Sequence, residues 1–229
     1  MKYIRNISRI FIGIVFIFSG FVKAVDPLGT AYKLTDYFNA FGIPFLAKFS
    51  IIFSIILCTL ELIIGLNLLT NILIKITSWL LIIFMSFFTI LTFFLALTNP
   101  VTDCGCFGDA IILSNWETFI KNLIFLVPTI IVFLERKNFK PIYRNTIQYF
   151  LTSFYGLLVI LFCIYNLNYL PIFDFRPYKI GTYIPEKMII PEGAPIDKYK
   201  ITWIYEKNGI KKEFTTENIP TDTSWKFVD

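Results

Sequence analysis

Histidine is missing altogether from these 229 residues. Its absence removes imidazole general bases, histidine-ligated haem and most zinc and copper sites, so redox chemistry would have to run on sulfur or on a bound cofactor. Charge is scarce too, at 16% of residues, against 56% hydrophobic and 18% aromatic, with a mean hydropathy of +0.67. That balance excludes an ordinary soluble protein and puts the chain in a lipid bilayer. Glycine is sparse as well, 11 residues beside 26 Phe and 12 Tyr. Packing by bulky, interlocking side chains is therefore predicted, rather than by small-residue seams. No internal repeat or low-complexity tract is present.

The net charge of +5 has a topological origin. From Asp174 onward nine Lys/Arg balance nine Asp/Glu, while the first 173 residues hold twelve against seven. Such a distribution orients spans in a membrane and gives no reason to expect a nucleic-acid partner.

Apolar runs over about 8–25, 48–69, 75–97, 116–134 and 147–165 predict five spans, and residues 1–165 form a transmembrane domain. Lys2, Arg5 and Arg9 precede the first run, which reads as a retained signal anchor with its N-terminus in the cytoplasm. The densest positive cluster falls at 135–144, whereas the link between the third and fourth runs carries Asp103 and Asp109 and no cation. This alternation predicts a multi-pass inner-membrane protein with that link and the C-terminus in the periplasm. Between the first two runs, Leu34, Tyr37, Phe38 and Phe41 recur at helical spacing and predict a short helix lying in the interface. Ser114 and Glu117 match a capping box that opens the fourth span. Residues 166–229 read as an extracytoplasmic segment, with a hairpin over 199–215 turned at Asn208-Gly209. The predicted fold is an all-α integral membrane bundle, a four-helix core plus a fifth transmembrane helix, with a small β-containing C-terminal segment.

Chemistry concentrates in Asp103-Cys104-Gly105-Cys106-Phe107-Gly108-Asp109. One glycine between two cysteines lets the backbone fold tightly enough for the sulfurs to meet. The disulfide so closed is small and strained, hence reducible, which suits exchange. A permanent structural clip and a metal thiolate site are the other readings; for the latter only Asp103 and Asp109 are near as further ligands, a poor match to closed zinc sites. Both aspartates oppose a thiolate, so a reactive pair needs a cation from elsewhere. Lys23 is the candidate, unless it snorkels to the interface or pairs with Asp26 one turn later. Glu61 is an ionisable residue deep in the second span and should face the bundle interior, protonated or paired with Lys23. It reads equally as a proton relay, a quinone contact or a buried hydrogen-bonding post. Cys58 and Cys163 read as packing residues, with Cys163 the readier exception because its depth in the fifth span approaches the loop.

Phe18-Ser19-Gly20-Phe21-Val22-Lys23-Ala24-Val25-Asp26-Pro27, Glu61-Leu62-Ile63-Ile64-Gly65 and the Cys-Gly-Cys loop resemble the DoxX-like membrane proteins, most closely the MauE branch, the methylamine utilisation proteins. Asp174-Phe175-Arg176-Pro177-Tyr178-Lys179-Ile180-Gly181 is similar to the C-terminal extension of Bacteroidetes-type DoxX family proteins. The resemblance implies a four-helix bundle like that of the disulfide-forming membrane oxidoreductases. It also implies a thiol-disulfide oxidoreductase role in maturing extracytoplasmic proteins, with Cys104 and Cys106 catalytic and Lys23, Asp26, Glu61, Asp103 and Asp109 supporting. A quinone as cofactor and a thioredoxin-like redox partner belong to the same implication. A non-enzymatic membrane scaffold with a structural disulfide is the alternative.

Overall fold

Long apolar runs become helices in a bilayer because each backbone polar group must find its partner within the segment. A computed structural model describes residues 2–101, 103–176, 179–189, 202–207, 209–215, 218–220, 222 and 224–228. The chain divides into two compact units, Met1–Thr182 and Tyr183–Asp229. In the first, five of the described helices are long and apolar enough to cross a membrane, so the unit is an integral membrane helical bundle. They are α1 (Lys2–Val25), α3 (Ser50–Thr70, entered through a 3-10 turn at Pro44–Phe49), α4 (Ile74–Thr98), α5 (Asn115–Leu134) and α6 (Asn145–Asn168).

The shorter α2 (Pro27–Ala40) follows α1 after one residue. Proline at its first position forbids continuation of the α1 ladder, and the Asp26 carboxylate accepts from the Gly29 N–H at 2.9 Å to cap the new helix. Asp26 is thus a cap and not the partner of Lys23. Ser54 Oγ donates to the Pro27 carbonyl at 2.7 Å, and the Thr35 and Ser50 hydroxyls meet at 2.9 Å. These bonds hold α2 against the N-terminal half of α3 instead of leaving it apart from the spans.

The α1–α3 seam departs from the bulky packing expected. A Cβ added at Gly20 would stand 2.9 Å from the Leu62 backbone N, and one at Gly65 would stand 2.7 Å from the Ile17 N. Gly13 faces Gly65 across the same seam, its Cβ position 3.3 Å from the Gly65 carbonyl. Composition concealed this because three glycines suffice to bring two backbones together. Elsewhere aromatic rings interlock as expected, for example Phe84 with Phe16 and Phe88, and Trp79 with Phe133.

Polar anchors tie the ends. Arg9 donates to the Leu68 and Leu69 carbonyls, Arg5 lies 3.6 Å from Glu135, and Asn71 donates to the Lys140 carbonyl at 2.7 Å. All of these gather at the positively charged end of the bundle. The capping box forms, with the Ser114 N–H on Glu117 at 2.8 Å and the Glu117 N–H on the Ser114 hydroxyl at 3.3 Å. Asn115 reaches Asn99 and the Val101 carbonyl at 2.7 and 2.8 Å, fixing both ends of the cysteine-bearing link.

In the second unit, after a single turn α7 (Ile184–Lys187), strands β1 (Thr202–Lys207), β2 (Ile210–Thr215) and β3 (Lys226–Phe227) form an antiparallel sheet in the order β2-β1-β3. Lys207 pairs with Ile210, the register of a two-residue turn, and Gly209 has φ +77°. Asn208 of that turn and residues 199–201 lie outside the described residues. Trp203, Tyr205, Phe214, Trp225 and Phe227 pack their rings together. Sequence periodicity missed β3 because two residues carry no detectable alternation.

Candidate functional site

The cysteine loop folds back into the bundle, against α1, α2 and α5. Gly105 and Gly108 adopt φ of +63° and +51°, conformations a side chain disfavours, and the Gly108 N–H closes on the Gly105 carbonyl at 3.1 Å. That turn brings the Cys104 and Cys106 sulfurs to 3.1 Å, both as free thiols. Cys104 is buried and Cys106 half-buried.

Two helices grip the loop by its carbonyls. Tyr37 O–H donates to the Cys104 carbonyl at 2.7 Å, and Ser19 O–H donates to the Cys106 carbonyl at 2.8 Å. Lys23 donates to that same Cys106 carbonyl, to Ser19 Oγ at 2.7 Å and to the Glu61 carboxylate at 2.8 and 3.0 Å. An ammonium has three N–H groups, and three neighbours accept them. Lys23 and Glu61 are each only 4% exposed, so this is a fully interior ion pair. Lys23 therefore neither snorkels nor turns to Asp26. Burying two charges is costly, and full hydrogen bonding with close geometry is what makes it tolerable. The α1–α3 glycine seam supplies the geometry: Gly20 lies against Leu62 and the Glu61 Cβ, setting the spacing that lets Lys23 reach Glu61.

The loop aspartates are also managed. Lys33 of α2 pairs with Asp103 at 2.6 Å, and Asp103 accepts the Gly105 N–H at 3.1 Å. Partial burial, followed by the neighbouring Asp26 charge, raises the Asp109 carboxyl above its usual range. Asp174, paired bidentately with Arg176 at 2.6 and 2.8 Å, lines a small cleft with Asp26, Gly105 and Asp109. Pro177 and Tyr178, the next residues of that run, lie outside the described residues.

Lys121 of α5 is the cation sequence reasoning overlooked. Its ammonium stands 4.4 Å from the Phe107 ring centre, on the wall that also carries Cys106. Cys106 is lowered to about 6 by the hydrogen bond from the Cys104 thiol, helped by Lys121 and Lys23 against the opposing effect of burial. Cys104, the donor in that bond and itself buried, is pushed up. Burial, then the nearby Cys104, likewise raises the Tyr37 phenol and keeps it a donor. The surroundings thus favour the thiolate at Cys106 over Cys104. A lysine one turn beyond Glu117, inside an apolar run, was the available signal.

A cavity of about 290 Å³ opens beside Cys106. Phe16, Phe84, Phe88, Phe125 and Phe41 form its walls, with Lys23, Glu61 and Lys121 at its polar side. This lining fits a flat apolar ring with a polar edge. Among the described residues no group of three or more Cys, Asp or Glu side chains converges to hold a metal ion.

The bundle, its sulfur loop and the interior lysine–glutamate pair define a multi-pass membrane protein with two adjacent cysteines held against the helices. The family model for methylamine utilisation protein MauE matches residues 1–135, more than half of the chain, and the protein belongs to that family. A domain of unknown function, DUF8463, matches residues 199–229. No curated protein and no solved structure matches the chain. The MauE match takes in α1 to α5 and hence every residue gripping the loop; α6 lies beyond it.

Proposed function

We propose that this MauE-family protein is a membrane thiol-disulfide oxidoreductase of the inner membrane, with the cysteine loop and C-terminus on the periplasmic side, that supplies disulfides to extracytoplasmic proteins. The observation that carries the reading is the 3.1 Å approach of the Cys104 and Cys106 sulfurs across one glycine, with Lys121 and Lys23 favouring the thiolate at Cys106. In the oxidised form, a partner thiolate attacks Cys106 Sγ, the Cys104–Cys106 bond breaks, and Cys104 leaves with the electron pair and takes up a proton. The partner's second thiolate then attacks the mixed disulfide and releases Cys106 as a thiolate. The partner gains a disulfide and the loop retains two electrons and one proton. Stabilising that thiolate stabilises the reduced loop, which makes the couple a stronger oxidant.

The reduced loop returns to the disulfide by passing its electrons to a thioredoxin-like partner or to a membrane quinone. A bound quinone would supply a two-electron, two-proton acceptor, and the residues beside Cys106 that would hold it are Phe88, Phe125 and Lys121. Lys23 and Ser19 hold the Cys106 carbonyl and so orient its sulfur, with Glu61 holding Lys23 in place; Tyr37 and Lys33 fix the loop at the Cys104 carbonyl and at Asp103. Asp26 supports indirectly, by starting α2 where Lys33 and Tyr37 can reach.

The test is a Cys104→Ser variant in membranes, which leaves Cys106 without its resolving thiol. Mixed disulfides at Cys106, released by reductant and absent from the double serine variant, are the expected result. A pair that stays oxidised at potentials far below those of exchange proteins, with no mixed species in either single variant, would make the loop a clip and the protein a scaffold.

A further inference from the structure

Two cysteines read as separate packing residues meet in the interior. Cys58 of α3 and Cys163 of α6 are 105 residues apart in sequence. Both are fully buried in one apolar cluster with Ala24, Leu62 and Val159, their thiols near enough to interact with each other. The contact is framed on both sides. A Cβ at Gly156 would lie 3.1 Å from Ile63, Phe162 stacks on Phe21 with centres 6.0 Å apart, and Asn166 donates to the Ala24 carbonyl at 3.0 Å. α6 packs on α1, α2 and α3 and on neither α4 nor α5, so this cluster is central to its attachment. Cys58 also lies one helical turn before Glu61 and is not among the residues that line the cavity.

We propose that Cys58 and Cys163 are a second redox site, a dithiol that a lipid-soluble two-electron acceptor closes into a disulfide stapling α6 to α3. In that step two S–H bonds break and one S–S bond forms. Two electrons and two protons pass to the acceptor, an azo compound becoming a hydrazine or a quinone a quinol. The acceptor must be lipid-soluble because both sulfurs have no exposed surface and lie among apolar side chains within spans, where a charged, water-borne disulfide has no route. The cross-link would join the fifth span covalently to α3 about one turn from Glu61. It uses none of the loop sulfurs and does not depend on their exchange.

The experiment uses the full chain with Cys104→Ser and Cys106→Ser in bilayer nanodiscs, so that Cys58 and Cys163 are the remaining thiols. Diamide, a membrane-permeant azo oxidant, is compared with glutathione disulfide, followed by alkylation, digestion and mass mapping. A Cys58–Cys163 linked peptide in most chains with diamide, little or none with glutathione disulfide, and a raised thermal midpoint reversed by reductant are expected. Both thiols free after diamide, or cross-links only between chains, would overturn the proposal. Should the double serine background fail to fold, mapping the same peptide in the unmutated chain decides the question in the same way.

Discussion

The two sulfur couples of this bundle share an element and almost nothing else. Cys104 and Cys106 are two residues apart, joined by a glycine turn, and face a cavity with three lysines. Cys58 and Cys163 come from different helices and sit in an apolar cluster packed by Phe21 and Phe162. Between the couples lies the Lys23–Glu61 pair, with Lys23 on the Cys106 carbonyl and Glu61 one turn after Cys58. Proximity of sulfurs alone thus does not make the two couples alike. They differ in nearby positive charge and in access, and both can be altered one residue at a time.

The largest effect should come from removing the residue between the couples. Glu61→Leu leaves the Lys23 ammonium buried without its counter-charge and should cost about 3–5 kcal/mol, read as a lowered melting point by tryptophan fluorescence in detergent. Lys23→Met combined with Glu61→Leu should recover most of the loss. A double variant as unstable as the single one would remove the ion pair from the account.

Next comes the charge difference itself. Alkylation of Cys106 by iodoacetamide should titrate with a midpoint near pH 6, because its pKa is depressed: the thiolate is present above that pH and lost as pH falls through it. Cys104→Ser removes the largest cause and should move the midpoint upward, and Lys121→Met should do so by less. Lys121→Arg should retain the lowered value. An unshifted thiol midpoint in the unmutated chain would leave the loop couple no more reactive than the buried one.

Backbone spacing should matter less. Gly20→Ala forces a Cβ to 2.9 Å from the Leu62 N and should destabilise by about 1–3 kcal/mol, whereas at Gly156 the neighbour is the movable end of Ile63 and the loss should be smaller. Equal losses at both sites would argue against a special α1–α3 seam. Smallest of all, Lys33→Ala removes a partly exposed pair with Asp103 and should change stability by under about 1 kcal/mol. A larger loss would mean that α2, more than the glycine turn, holds the loop couple together.

Much of the bundle was legible because a span must be continuously apolar, so its length and ends show in one dimension; α5 even announces its start through Ser114 and Glu117. The loop cysteines were legible for the same local reason. Lys121 was harder, since a lone lysine in an apolar run reads as an end residue until Phe107 and Cys106 are seen beside it. Three glycines lining one seam were invisible in an overall composition poor in glycine. Asp26 was noticed but misassigned, because the same Asp-Pro pair that could sit near Lys23 is also a helix start.

By itself the sequence determined that this protein lives in a bilayer, has five spans' worth of apolar chain, and carries two thiols that a glycine turn can join. Those are consequences of hydropathy, length and bond geometry, which act over a few residues. Only the tertiary structure decided that Lys23 turns to Glu61, that Lys33 answers Asp103, and that Cys58 finds Cys163 across 105 residues. Such partners are chosen by which helix faces meet, and that depends on close packing throughout the bundle rather than on any short stretch of chain.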